Sequence, residues 1–206
     1  MSVDIISGAG SDLLTIDATS KAARVSPYGA DGAYSGKKAT YRASSLIPFA
    51  AAVTINVPFF LIEGSASKTI TVTSIRVSGL TLTAVAYLTV AVAKYSTAAS
   101  GGTAISAPMV PLDSSAAAAS AAFVKYYTAV PTAGTLVGAV ASWRTLAQAA
   151  TPAAAATTET HIFEFGNSQE KRGIVLRGAS QGLGLFWPVA PATAVTLAAD
   201  IEWTEE

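Results

Sequence analysis

From residue 195 to 203 two sets of side chains alternate along the chain. Val195, Leu197, Ala199, Ile201 and Trp203 share one parity, and Thr196, Ala198, Asp200 and Glu202 the other. Successive side chains of a strand point to opposite faces, so this run predicts a half-buried antiparallel strand. Ala-rich tracts ordinarily favour helix. Most apolar stretches of this chain nevertheless alternate with Thr or Ser at the strand period, and 51% hydrophobic residues stand beside only 13% charged ones.

Further strands are expected at residues 39–44, 54–62, 68–77, 84–95, 123–128, 136–146, 161–165, 173–177 and 183–189. Pro58 marks an edge or a bulge in the second of these. In the third, Ile70 and Val72 have the opposite parity to Ile75 and Val77, and a bulge near Thr73-Ser74 would return all four to one face. Gly79 allows a turn or kink. Residues 84–95 form the longest candidate, with Val85, Tyr87 and Tyr95 on one face and Leu88, Val90 and Val92 on the other, so both faces can be covered. In the 161–165 strand Phe163 and Phe165 share a face opposite Glu164. Residues 114–122 are Ala-rich and fit either a short helical piece or a loop. Residues 147–158 read as a long Ala/Thr-rich surface excursion around Pro152.

Roughly eight to ten short strands, no alternating βα pattern and no fixed repeat favour an all-β chain, a two-sheet antiparallel β-sandwich. A jelly roll is the commonest such layout at this size. The sandwich is expected over residues 37–206. Residues 1–36, punctuated by Gly8, Gly10, Pro27, Gly29, Gly32 and Gly36, read as an extended N-terminal arm with strand-like pieces at 13–16 and 23–26. Such a segment buries no core alone, so it either lies on a neighbouring surface, of the same chain or another, or is a loose terminus.

The bulk numbers narrow the function classes. Thirteen basic and thirteen acidic residues cancel, which argues against a nucleic-acid coat or a polybasic membrane anchor. A chain with so little net charge has weak protection against association and makes better sense inside an assembly. The absence of cysteine excludes disulfides and thiolate metal sites. Met1-Ser2-Val3-Asp4 begins no secretory signal, which predicts a protein made and kept in a cytoplasm. Residues 77–93 are uncharged, but Gly79 and the Ser and Thr positions suit a strand pair better than a membrane span.

The search for chemistry yields few candidates. His161 is the only histidine and stands in no recognisable catalytic spacing, so a rim or hydrogen-bonded role is the ordinary reading. Gly64-Ser65-Ala66-Ser67-Lys68-Thr69 lacks the glycines of a phosphate loop, with Ser67 and Ile62 at their places, and it precedes a strand. Gly8-Ala9-Gly10 and residues 178–184 fail the dinucleotide pattern.

Asp200 and Glu202 lie on one strand face, about 7 Å apart by the strand rise. That spacing suits a glycosidase, but alternating acids on a solvated face are far commoner. Asp4, Asp12, Asp17 and Asp31 match no calcium loop. Asn167, followed by Ser168-Gln169, is no glycosylation acceptor. Tyr126, Tyr127, Trp143 and Trp187 either fill a core or interface or line a sugar-binding face. No catalytic, cofactor or metal residue is assigned, and no enzyme activity is expected.

Leu13-Leu14-Thr15-Ile16-Asp17-Ala18-Thr19-Ser20-Lys21-Ala22-Ala23-Arg24-Val25, the Gly-rich link after it, and the Ala/Thr-rich β domain ending in Ile201-Glu202-Trp203 give a layout that resembles bacteriophage virion accessory proteins. The likeness is one of style along the whole chain and rests on no diagnostic motif. It implies a jelly-roll or related sandwich that assembles as a trimer or larger ring on the virion, as a decoration (cement), neck, fibre or receptor-binding part. The partners it implies are further copies of the chain, the major capsid or other virion proteins and, for a receptor-binding part, a glycan. The implied location is the virion, assembled in the host cytoplasm.

Overall fold

The computed structural model describes residues 15–16, 23–24, 38–49, 54–82, 86–119, 123–147, 159–166, 173–191 and 194–206. Contacts divide the chain into two units, Met1–Lys38 and Ala39–Glu206. In the first, β1 (Thr15–Ile16) pairs antiparallel with β2 (Ala23–Arg24). The remainder of the expected arm, residues 1–36, lies outside the described residues, as do residues 148–158 of the Ala/Thr-rich excursion.

Among its described residues the second unit has strands and no helix. They are β3 (Thr40–Phe49), β4 (Pro58–Glu63), β5 (Ile70–Leu82), β6 (Ala86–Tyr95), β7 (Thr103–Ser106), β8 (Met109–Pro111), β9 (Phe123–Ala129), β10 (Leu136–Ala147), β11 (His161–Glu164), β12 (Ile174–Leu176), β13 (Gly182–Phe186) and β14 (Val195–Glu205). Sheet I has the order β10-β6-β13-β4-β9-β7. Sheet II has the order β11-β5-β14-β3-β8, with β12 also on β5. Every pairing is antiparallel, and one apolar core between the sheets draws on both, so the unit is a β-sandwich.

The pairings are nested. β3 pairs with β14, β4 with β13, β5 with β11 and β6 with β10. β7, β8 and β9 come between β6 and β10 in sequence. They extend sheet I beyond β4 and sheet II beyond β3.

β14 follows its alternation closely. Val195, Leu197, Ala199, Ile201 and Trp203 are all buried in the core. Trp203 stacks on Tyr41 at 5.8 Å, and its indole N–H donates to Glu205 Oε1 at 3.1 Å. The parity break in β5 is a bulge at Thr73. Trp203 stands opposite Val72 and Glu202 opposite Ser74, which leaves Thr73 as the extra residue. Ile70, Val72, Ile75 and Val77 all reach the core as a result. Burying each such aliphatic side chain is worth about 1.5–3 kcal/mol, so one backbone irregularity keeps two buried pairs that a regular strand would split between faces.

Two expectations are corrected. The longest described strand is β5, with 13 residues, whereas β6 begins at Ala86 and has 10. Gly79 lies within β5 and makes no turn. A second register shift, between Thr196 and Ala198 opposite, carries the strand past it. Residues 114–119, the described part of the Ala-rich segment, form turn and irregular backbone.

β6 has both faces covered over its second half. Leu88, Val90 and Val92 enter the main core. Ala91, Ala93 and Tyr95 join Leu61, Tyr127 and Phe186 in a smaller cluster on the other side of sheet I, against Ala99 and Ala133. Tyr87 is instead exposed, with the Arg144 guanidinium 4.6 Å from its ring centre, and Val85 lies outside the described residues. Close packing at this layer leaves no room at Gly184, where a Cβ would lie 2.9 Å from the Phe60 carbonyl oxygen and 3.0 Å from Leu61 Cδ1.

The Tyr95 hydroxyl is buried in this cluster and makes no hydrogen bond among the described residues. Burial pushes its pKa up to about 12. An unsatisfied buried hydroxyl costs about 1–3 kcal/mol. Tyr95→Phe removes that cost and keeps the ring, so the variant should be more stable by about 1 kcal/mol in urea unfolding. A loss of stability would show that the hydroxyl has a partner.

Candidate functional site

The densest set of polar side chains lies on the outward face of sheet II, where β14 runs between β5 and β3. Outward-facing positions of β14 carry Asp200 and Glu202, as the parity requires. The register places Asp200 directly opposite Arg76 of β5 and Glu202 directly opposite Arg42 of β3. Arg76 Nε donates to Asp200 Oδ2 at 2.6 Å, and Arg42 Nη2 to Glu202 Oε2 at 2.6 Å. Thr73 Oγ1, at the bulge, adds a hydrogen bond to Glu202 Oε1 at 3.1 Å. On the opposite parity, the buried Glu205 carboxylate pairs through Oε2 with Lys68 Nζ at 3.3 Å at the end of β14. Ser74, Ile162 and Ile201 complete a shallow depression around the two arginine pairs.

The pairs differ in burial, and this decides their weight. The Asp200 side chain is 9% exposed and that of Arg76 47%, so a nearly buried carboxylate depends on a half-exposed cation. The Arg42–Glu202 pair is open to solvent at 46% and 24%. The expected solvated acid face is therefore corrected at Asp200, which lies inside the surface. A glycosidase pair needs one carboxyl free to give up a proton and another free to face the sugar ring. Here each carboxylate is already engaged by a guanidinium from the neighbouring strand.

His161 begins β11, at the edge of sheet II. Its ring stacks on Trp143 of β10, at the edge of sheet I, with centroids 5.0 Å apart and planes 3° apart. It meets Phe163 edge-on at 4.6 Å. The half-buried imidazole thus bridges the two sheets along one rim of the sandwich. The Thr145 hydroxyl bonds to Glu159 beside it. Desolvation holds the His161 pKa below its ordinary value of 6.5.

The aromatic candidates are placed in packing. Trp187 is fully buried and stacks on Phe59 at 5.0 Å. Tyr127 belongs to the smaller cluster, and Tyr126 and Trp143 pack half-buried against the main core. The four form no exposed platform.

Gly64-Ser65-Ala66-Ser67 is the turn between β4 and β5. Ser65 Oγ accepts from the backbone N–H of Ser67 at 3.1 Å and of Lys68 at 3.3 Å. Residues 182–184 of the second glycine-rich stretch lie in β13. Asp4, Asp12, Asp17, Asp31, Asn167 and Gly8-Ala9-Gly10 lie outside the described residues. Among the described residues, no three His, Asp or Glu side chains gather as a metal site, and no helix is long and apolar enough to cross a membrane.

Sequence reasoning singled out Asp200 and Glu202 and missed Arg42 and Arg76. Both arginines sit at outward parity of their strands, but only the cross-strand register identifies their partners.

Arg76→Ala leaves the Asp200 carboxylate nearly buried and unpaired, so it should cost about 1–3 kcal/mol in urea unfolding. Arg42→Ala opens a solvent-exposed pair and should cost less than about 1 kcal/mol. Equal losses would contradict this ordering. For His161 the folded pKa is depressed, so the unfolded chain takes up the proton first as pH falls. Its contribution to stability is fully present above about pH 6.5 and is lost as pH falls through the folded value. Melting temperatures between pH 5 and 8 should slope less in His161→Phe than in the unaltered chain, because the only histidine is then gone.

No protein-family model, no characterised protein and no solved structure matches this chain.

Proposed function

We propose that this chain is a structural subunit of a bacteriophage particle that decorates or stabilises the capsid or its neck. One observation carries the reading. The side chains that offered chemistry in the sequence are engaged in holding strands and layers together. Asp200 and Glu202 are held by arginines, His161 is stacked between Trp143 and Phe163, and Trp187 is inside the core. What reaches the surface instead includes many large apolar side chains, a surface suited to contact with other protein.

The nested pairing supports a finer description of the fold. First strand with last, second with second-last, and so inward, is the order of an eight-stranded jelly roll, with β7, β8 and β9 as an insertion in its fourth connection. On this reading the partners are further copies of the chain and the major capsid or other virion proteins. The rival reading, a carbohydrate-binding adhesin or tail receptor-binding protein, needs exposed aromatic planes. It is disfavoured by the burial of Trp187 and Tyr127.

Density-banded particles from a culture producing this chain, analysed by quantitative mass spectrometry, test the proposal. The chain should be present at a fixed ratio to the major capsid protein. Absence from banded particles, with the chain abundant in the lysate, would overturn it. Binding on a glycan array would favour the rival.

A further inference from the structure

On sheet II, Arg42 and Arg76 each stand directly opposite an acid of β14 and bond to it. On the outer face of sheet I, the Lys125 ammonium lies 2.8 Å from a Glu63 carboxylate oxygen. Arg144 of β10 is different. The residue directly opposite it is Thr89 of β6, and among the described residues no carboxylate pairs with it. Its guanidinium lies instead 4.6 Å from the ring centre of Tyr87, also on β6. Leu146 stands directly opposite Tyr87, so the three side chains form one patch. Arg144 is exposed, and Tyr87 and Leu146 are 63% and 48% exposed. Tyr87 has the parity of Ala91, Ala93 and Tyr95, which puts the patch on the outer face of sheet I.

The arrangement leaves the arginine ready for an anion. An aromatic ring draws a guanidinium onto its face through the ring's quadrupole. That contact uses the flat of the guanidinium. The N–H donors lie in its plane, at the edge, in a fork that matches the two oxygens of a carboxylate. The stack also restricts the Arg144 side chain, so less freedom is lost when a partner docks. Other exposed apolar side chains of the broad faces carry no such indication. Phe123 stands opposite Glu63, whose carboxylate is taken by Lys125, and Leu46 stands opposite Ala198. At Tyr87 and Leu146 an unpaired cation specifies the charge that a partner brings.

We infer that Tyr87, Arg144 and Leu146 form a docking site for another protein, one that presents an aspartate or glutamate carboxylate among apolar side chains. The carboxylate meets the Arg144 fork, and its apolar neighbours cover Tyr87 and Leu146. Tyrosine and arginine are among the side chains that most often carry the binding energy of protein interfaces. A small free anion would leave both apolar side chains uncovered. A nucleic acid calls for several cations together, and this chain has no net positive charge. On the function proposed above the partner is another virion protein. That identity rests on the proposed function, whereas the chemistry of the site does not.

Two measurements test the inference, and the first needs no particle. The full-length chain is titrated with a capped leucine–glutamate–leucine tripeptide and with its glutamine counterpart, while the arginine Nε–H signals are followed by NMR. The glutamate peptide should shift the Arg144 signal saturably at millimolar concentration, and the glutamine peptide should not. Arg177 is the internal control, because it is also exposed and also has no carboxylate partner among the described residues. No shift at Arg144, equal shifts at Arg144 and Arg177, or equal shifts with both peptides would overturn the inference.

The second measurement is rebinding of the purified chain to particles produced without it. Arg144→Gln should weaken rebinding roughly 30-fold, and Tyr87→Leu, which keeps an apolar contact but removes the ring beneath the guanidinium, roughly tenfold. Arg144→Lys keeps the charge, loses the fork and should fall between the unaltered chain and Arg144→Gln. Added salt should weaken the unaltered chain more than Arg144→Gln. Full-strength rebinding of Arg144→Gln would overturn the inference and leave the proposed function standing. A selective peptide response in a chain that never binds particles would defeat the proposed function and leave the carboxylate site standing.

Discussion

The position of β14 is the constraint on which the rest of the fold depends. It pairs with β3 on one side and β5 on the other over most of its length, at the centre of sheet II. Its inward side chains form the floor of the core. A strand held on both sides and buried on one face has its register fixed, because a slip of one residue would turn Trp203 and Ile201 outward and Glu202 and Asp200 inward. The bulge at Thr73 accommodates this fixed register. β5 gains one residue there so that its own apolar positions stay on the core side of β14.

The same register explains the charges. Once Asp200 and Glu202 face outward from a central strand, each has an arginine directly opposite on one side, Arg76 of β5 for Asp200 and Arg42 of β3 for Glu202, and a serine on the other. The acids of the middle strand and the bases of its neighbours form a cross-strand set in which each pair reinforces the alignment. Asp200, almost closed off from solvent, makes its pair a condition of folding more than a source of surplus stability. Residues that look like paired catalytic acids in the sequence thus serve as alignment pins.

Where pairing stops, the molecule changes character. The Trp143–His161–Phe163 stack seals the core at one rim with aromatic planes. It places the only histidine where desolvation holds its pKa below the ordinary value. Beyond the stack, Val137 and Val140 of β10 and Ile105 and Val110 of β7 and β8 are exposed apolar side chains.

Much of this was legible in the chain. The alternation of residues 195–203 fixed both the strand and its buried face, since strand side chains alternate whatever surrounds them. The parity break at Thr73-Ser74 announced a bulge, because only an extra residue reconciles Val72 with Ile75. Tertiary structure alone decided the partners. No local signal tells Asp200 that Arg76 lies opposite, 124 residues away in sequence, or tells Gly79 that it lies within a paired strand. Nor does any local signal place His161 and Trp143, from different sheets, ring on ring. Periodicity is a property of one strand, whereas register and layer contact arise only when strands distant in sequence meet.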